Sequence, residues 1–277
     1  MNTNEFVLDA DTFKKIQPLE YLRRFISQNV RPDGRSLVEP RNILFHHVPL
    51  QNCSGSATVK IGNSLVTCGI KTEIAQPNAT TPTDGFFVPN VDLPALSAAK
   101  FRPGPPAEQT QTLSDQINQL FLSVPILNLS DLCIESGKAV WVLYADIVCL
   151  NYDGSILDAA MAALMASLRN LRLPKVEIVD NLPVVDTNKL KPIELTRLVF
   201  NTTFCLFDSQ VLIDPTDDEE SMATSLITIM MDNNGMFCGI GKLGGECMEE
   251  KLLKSCIGLA KSRTKKSVEL LEKSFIN

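Results

Sequence analysis

The first part of the chain alternates hydrophobic and polar residues in short runs that turn-forming residues separate. Pro18 opens an amphipathic stretch that is typical of a helix. The Pro and Gly of RPDGR, residues 31–35, have the spacing of a tight turn. The runs at 42–48, 56–61 and 65–74 are alternating or rich in β-branched residues, and they predict a β-meander.

Longer apolar segments dominate the middle of the chain. Seven prolines between 76 and 108 predict a long ordered loop with a short strand near 86–88. Apolar residues at helical spacing predict a helix over 108–123, and a continuous apolar run predicts a strand buried on both faces over 139–150. Residues 158–171 are apolar almost all round, which predicts a buried helix.

The second half repeats the order of strands followed by a helix. We predict strands near 175–180, 198–206, 210–214, 224–231 and 236–240. The last helix is expected over 246–275, with an apolar stripe ending at Phe275 and with Lys261, Arg263, Lys265 and Lys266 facing water. The pattern predicts an α+β fold of pseudo-duplicated mixed β-sheets with packed helices. We expect an N-terminal arm over 1–17 and one domain over 18–277.

Composition narrows the possible functions. The formal net charge is −6, whereas proteins that bind nucleic acid on their own usually show net basicity. A free-standing RNA-binding protein therefore fits poorly. The N-terminal segment lacks the order of a signal peptide, and no run of about 18 apolar residues follows. The eight cysteines include no C-x-x-C pair, and most lie in apolar runs, which favours buried core cysteines over a zinc or disulfide framework. We expect an intracellular protein in a reducing compartment.

Several motifs offer chemistry but favour a structural interpretation. GIGKLGG, residues 239–245, leaves no room for the parallel strand that a dinucleotide fold requires. His46 and His47 are adjacent in a predicted strand, so their side chains point to opposite faces. The acidic run over 214–220 offers oxygen ligands for Mg²⁺, although a solvated turn is the favoured interpretation. Asp146 lies within a buried strand, where its carboxylate has either a structural partner or a catalytic role.

Four blocks carry a resemblance to a known family. They are RPDGR (31–35), SATVKIGNSLVTCGIK (56–71), KAVWVLYADIVCLNYDGSILDAA (138–160) and LIDPTDDEE (212–220). Together, and in this order, they resemble the RNase PH family, and within it the ring subunits of the eukaryotic RNA exosome. The resemblance covers nearly the whole chain from Pro18.

The resemblance implies a phosphate cradle in the turn over 153–158, just before the buried helix. The family's enzymes are phosphorolytic 3′→5′ exoribonucleases in which an Arg and small hydroxyl residues hold the attacking phosphate. Here Ser155 is retained, Leu157 stands in place of the Arg, and Asp158 follows. We expect Asp158 to cap the helix and to repel a phosphate by about 4 kcal/mol per charge pair at about 4 Å and an effective dielectric of about 20.

The resemblance also implies an essential Asp six residues after the acidic run. Alignment on Asp214 leaves Glu220 inside the run and puts Leu226 at the Asp position. With both parts of the site degenerate, we expect no catalysis, no metal and no cofactor. The alternative is a phosphorolytic exoribonuclease, acting alone or through a site shared with a neighbour.

Such a subunit is expected to work through its surfaces. The resemblance implies a six-membered ring of related subunits, RNA-binding cap subunits, associated hydrolytic exoribonucleases and RNA in a central channel, with no membrane. It implies residence in the nucleus, including the nucleolus, and in the cytoplasm. Lys100 and Arg102 lie in the family's channel-lining loop and are candidate RNA contacts. Arg31 and Arg35 are further candidates, although a salt bridge that stabilises their turn is favoured.

Overall fold

The computed structural model describes residues 10–47, 49–105, 108–179, 182–208, 210–242 and 244–275. Its first sheet begins with the predicted meander: β1 (Ile43–His46), β2 (Gly55–Ile61) and β3 (Ser64–Ala75) are antiparallel neighbours. The long strand β6 (Ala139–Asn151) pairs antiparallel with β3.

The far edge of this sheet differs from the sequence-based expectation. The strand predicted near 86–88 is the longer β4 (Phe86–Asp92), which runs parallel to β6, and the short β5 (Cys133–Glu135) also pairs with β6. Pro89 lies within β4, and a proline is tolerated there because an edge strand leaves one side of its backbone unpaired. The loop that follows β4 is correspondingly shorter and begins at residue 93.

The buried helix α4 (Ile156–Arg169) packs against β2 and β3 of the first sheet and against β9 of the second. Its residues from Ile156 to Leu168 are all buried, as its apolar composition predicted. Because one helix is covered by a sheet on either side, the turn that precedes it lies where the two halves of the fold meet. Helix α3 (Glu108–Ser123), which was predicted with these bounds, packs on β4.

The second half contains a four-stranded antiparallel sheet in the order β10 (Gln210–Ile213), β9 (Val199–Phe207), β11 (Ser225–Asp232) and β12 (Phe237–Lys242). A separate hairpin joins β7 (Arg172–Val179) to β8 (Leu182–Pro192). The sequence did not predict β8, because its prolines, Asp, Asn and lysines have low β-propensity and only pairing with β7 defines it. Each half thus combines a sheet with a following helix, as expected.

The remaining helices are α1 (Ala10–Ile16), α2 (Pro18–Ser27), α5 (Asp217–Met222) and α6 (Glu250–Ser274), with a short 3₁₀ helix at Leu129–Leu132. Helix α6 packs on β9, β11 and β1. Two expectations for its surface are wrong: Arg263 is buried rather than hydrated, and Phe275 is 40% exposed rather than packed inward. Arg263 is buried because its helix face meets the carboxylate of Asp158.

Candidate functional site

A cleft of about 990 Å³ lies between α3, the β11–β12 hairpin and the first turn of α4. The structure brings four residues of the predicted degenerate site into its lining: Ser155, Leu157, Glu220 and Leu226. The turn before α4 approaches the chain at Pro215 so closely that a Cβ at Gly154 would lie 2.4 Å from the Pro215 carbonyl oxygen. The glycine is therefore required for this junction, and it also has a positive φ of 72°.

The carboxylate of Glu220 occupies the start of α4. Its Oε1 accepts a hydrogen bond of 2.6 Å from the backbone N–H of Ser155, and its Oε2 accepts one of 3.1 Å from the Tyr152 hydroxyl. Partial removal from water raises the pKa of Glu220 to about 7, although the two donors and the Lys100 ammonium favour the ionised form. An anion-binding helix terminus is thus already filled by a side chain of the same protein.

Asp158 does not have the role expected from the sequence. Its carboxylate is 2% exposed and accepts hydrogen bonds from the Thr203 N–H at 2.9 Å, the Thr203 hydroxyl at 2.7 Å and Arg263 Nη1 at 2.7 Å. It neither caps α4 nor lines the cleft, so the expected repulsion of a phosphate by Asp158 is wrong. The carboxylate that stands near the cradle position belongs to Glu220.

The acidic run is not a solvated turn. Residues 217–222 form α5, and Asp214 just before them is completely buried, with a positive φ of 52°. Arg41 holds the Asp214 carboxylate through its backbone N–H at 2.7 Å, Nη2 at 2.8 Å and Nε at 3.1 Å. Burial opposes ionisation of Asp214, but Arg263 and Arg41 outweigh it and hold the pKa of this carboxyl well below its usual range.

Arg31 and Arg35 belong to the same buried network. Arg31 is completely buried, donates to both carboxylate oxygens of Glu219 and contacts the Ile213 carbonyl oxygen at 2.7 Å. RNA cannot reach this side chain in the folded chain, so Arg31 is corrected from a candidate RNA contact to a structural residue. Arg35 is mostly buried and pairs with Asp33 of its own turn at 2.5 Å, which is the favoured salt-bridge interpretation.

The two loop cations differ from each other. The Lys100 ammonium lies 2.5 Å from the Asp217 carboxylate and 3.8 Å from the centre of the Tyr152 ring. Arg102 is exposed, and within the described part of the chain its guanidinium has no ion pair or hydrogen bond. Contact of either residue with RNA stays a prediction.

The other residues that the sequence offered for chemistry make structural contacts. His47 Nε2 lies 2.8 Å from the Ser274 hydroxyl, and Asp146 is half-buried and paired with Lys71 at 2.9 Å rather than enclosed. Four of the eight cysteines are buried. Among the residues described, no three His, Cys, Asp or Glu side chains are placed to hold a metal ion. No helix in the described ranges is long and apolar enough to span a membrane.

Sequence reasoning missed Tyr152 and Arg41. Tyr152 directly precedes the predicted cradle turn, and that adjacency was a usable signal. Arg41 is separated from Asp214 by 173 positions, and no spacing rule relates residues so far apart. Arg41 could be found only from the folded chain.

The raised pKa of Glu220 has a measurable consequence for stability. Its value is about 7 in the folded chain and near 4.5 for an unperturbed Glu, so the folded state binds this proton more tightly. The contribution of this protonation to the free energy of unfolding is complete below about pH 4.5 and is lost as the pH rises through about 7. From pH 5 to pH 8 we expect Glu220 to lower the free energy of unfolding by about 2 kcal/mol. Urea unfolding at several pH values measures it.

Glu220→Gln should remove this pH dependence of the free energy of unfolding. Glu269→Gln, at an exposed position on α6, should leave it in place. The difference between wild type and Glu220→Gln also separates Glu220 from Asp158, whose pKa burial raises as well. An unchanged pH dependence in Glu220→Gln would contradict the assignment.

Comparison with known proteins agrees with this architecture. Residues 39–174 match domain 1 and residues 198–263 match domain 2 of the 3′ exoribonuclease family, RNase PH. The chain is 41% identical over 253 residues to the exosome complex component rrp43 of Schizosaccharomyces pombe, covering 91% of this chain and 94% of that protein. It is 32% identical to the exosome complex component Rrp42 of Methanothermobacter thermautotrophicus, covering 90% of this chain and 92% of that protein.

A solved structure extends the match to three dimensions. A chain of the Archaeoglobus fulgidus exosome with RNA bound to the active site superposes with a TM-score of 0.83 at 29% identity, covering 92% of this chain and 97% of that chain. The segments at 18–25, 87–94 and 100–106 resemble the ring subunit ribosomal RNA-processing protein 43, in agreement with the S. pombe relative. The chain therefore belongs to the RNase PH family of 3′ exoribonucleases and contains both of its domains.

Proposed function

We propose that this chain is a non-catalytic ring subunit of the RNA exosome, which supports 3′→5′ RNA processing and degradation through its channel and partner surfaces. One observation carries the lack of catalysis: the Glu220 carboxylate lies on the Ser155 N–H at the start of α4. A phosphate at that position would have to displace a carboxylate that already holds two hydrogen bonds.

The rest of the cleft supports the same conclusion. Leu157 and Leu226 line the cleft with apolar surface, and the resemblance to the family implies an Arg and an Asp at these two positions. The nearby Lys100 is paired with Asp217, whose charge offsets part of the attraction that Lys100 would have for an incoming phosphate. The carboxylate that would repel a phosphate is that of Glu220, not that of Asp158 as the sequence suggested. This repulsion acts when Glu220 is ionised.

The role in an assembly rests on the relatives. They are named as exosome components, and the solved structures that the chain resembles include an archaeal exosome core and an exosome with RNA. The partners proposed are other RNase PH-like ring subunits, RNA-binding cap subunits, associated hydrolytic exoribonucleases and RNA in the central channel. A closed ring tolerates inactive members because their interfaces are still needed for closure. The proposed location is the nucleus, including the nucleolus, and the cytoplasm.

The test is a phosphorolysis assay on the chain as purified alone and as recovered with its partners through an affinity tag. With labelled RNA, inorganic phosphate and Mg²⁺, we expect the isolated chain to release no nucleoside diphosphate above background. In the recovered complex, Glu220→Ala in this chain should leave any phosphate-dependent rate unchanged.

Phosphate-dependent release by the isolated chain would establish an active enzyme instead. Loss of a phosphate-dependent rate in the Glu220→Ala complex would establish a shared active site. Failure to recover other ring subunits with the tagged chain would overturn the proposed assembly role.

A further inference from the structure

The loop over 93–105, between β4 and α3, is held by hydrogen bonds between Pro94 and Phe101. Ser97 is 3% exposed, its hydroxyl donates to the Pro94 carbonyl oxygen at 2.7 Å, and its own carbonyl oxygen accepts the Tyr152 N–H at 3.0 Å. The Phe101 N–H donates to the Ala98 carbonyl oxygen at 3.1 Å, which closes a turn just after Lys100. These bonds give the loop a defined path beside Tyr152.

Tyr152 is the point on which the loop rests. The Phe101 ring packs edge-on against the Tyr152 ring, with centroids 5.3 Å apart, and the Lys100 ammonium lies over the same ring. Gln109 in the first turn of α3 donates to the Tyr152 hydroxyl at 3.3 Å, so the helix that follows the loop meets the same residue. Contacts from the loop and from α3 therefore converge on one side chain.

Tyr152 and Lys100 are themselves held by two carboxylates next to the degenerate site. The Tyr152 hydroxyl donates to Glu220, and the Lys100 ammonium is bound by Asp217, three residues earlier on α5. Both carboxylates come from the acidic segment in which the sequence suggested a metal site or a solvated turn. Instead they face a tyrosine and a lysine, and through these they face the loop.

We propose that Asp217, Glu220 and Tyr152 form a latch that fixes the 93–105 loop through Lys100. In this proposal, the acidic run over 214–220 and the residue that precedes the 153–158 turn bind a loop of the same chain and not a phosphate. With Lys100 paired with Asp217, Arg102 is the loop cation that has no partner within the described residues. If the chain is a ring subunit, Arg102 is more readily available to an RNA phosphate than Lys100, which must first leave Asp217; this consequence rests on the proposed function, whereas the latch does not.

The latch is tested by hydrogen–deuterium exchange of the full chain, read at the backbone amides of Ser97 and Phe101. Lys100→Met removes the ammonium while keeping most of the apolar stem. Loss of one exposed ion pair and one cation–π contact should speed exchange at these amides by about fivefold to thirtyfold. Asp217→Asn, which weakens the latch from the other side, should speed exchange at the same amides.

Arg102→Met is the matched control, because it removes a cation two positions away that has no partner within the described residues. Its exchange should match that of wild type, and the amides of β6 should be unchanged in every variant. The latch is refuted if Lys100→Met and Asp217→Asn both leave loop exchange at the wild-type rate. It is equally refuted if Arg102→Met speeds exchange as much as Lys100→Met does.

Discussion

Replacing Arg31 by Met is expected to lower the free energy of unfolding by about 3–5 kcal/mol, as is usual when one partner of a buried ion pair is removed. The Arg31 guanidinium is completely buried and pairs with Glu219, which is 2% exposed. It also donates to the carbonyl oxygens of Ile213 and Asp214. Without Arg31, the Glu219 charge and both carbonyl oxygens lose donors that water cannot readily replace.

Chemical denaturation of the variant beside Arg23→Met measures the effect. Arg23 pairs with Asp208 at 2.6 Å, but 46% and 47% of the two side chains are exposed. Such a surface pair contributes little to stability, because water screens its charges. The double variant Arg31→Met/Glu219→Gln should recover part of the loss, because no unpaired charge remains and the Gln side chain can still accept the Thr216 N–H. Equal effects of Arg31→Met and Arg23→Met would show that the buried pair does not stabilise the fold.

Replacing Arg263 by Met is expected to lower the free energy of unfolding by about 3 kcal/mol or more. The side chain joins α6 to α4 through Asp158 at 2.7 Å, and its Nη2 lies 3.6 Å from the Asp214 carboxylate. After the change, the two Thr203 donors are the hydrogen-bond donors that the buried Asp158 carboxylate keeps among the described residues. Asp214 is less affected, because Arg41 still holds it.

Lys265→Met is the matched control for Arg263→Met, since Lys265 lies two positions further along the same helix and is exposed. Its effect should stay within about 0.5 kcal/mol. The double variant Arg263→Met/Asp158→Asn should be more stable than Arg263→Met alone, because the unpaired charge is gone. If Arg263→Met and Lys265→Met unfold at the same denaturant concentration, Arg263 is hydrated, as the sequence pattern alone suggested.

The two buried pairs explain why the acidic segment looked like a solvated turn in the sequence. A run of Asp and Glu is normally solvated, because an ionised carboxylate is costly to remove from water. Here the Glu219 charge is compensated by Arg31 of the N-terminal turn. The Asp214 charge is compensated by Arg41, two residues before β1, and by Arg263 of the last helix. Each partner is more than 40 positions away, so local composition holds no sign of it.

The sequence by itself determined the elements whose signals are local. The meander, α3, β6 and α4 follow from alternation, helical spacing or continuous apolar runs, since burial of those side chains requires that periodicity. It also determined the family, and it identified Ser155, Leu157, Glu220 and Leu226, which the fold brings to one cleft.

Only the tertiary structure decided what the charged residues do. It buried Arg31, Asp158 and Arg263, and it placed Glu220 at the start of α4. The physical reason is that a charge is stable in the interior only beside its counter-charge, and the counter-charges here are distant in the chain. Hydrophobic periodicity predicts which face of an element is covered; it cannot predict which ion pair forms beneath it.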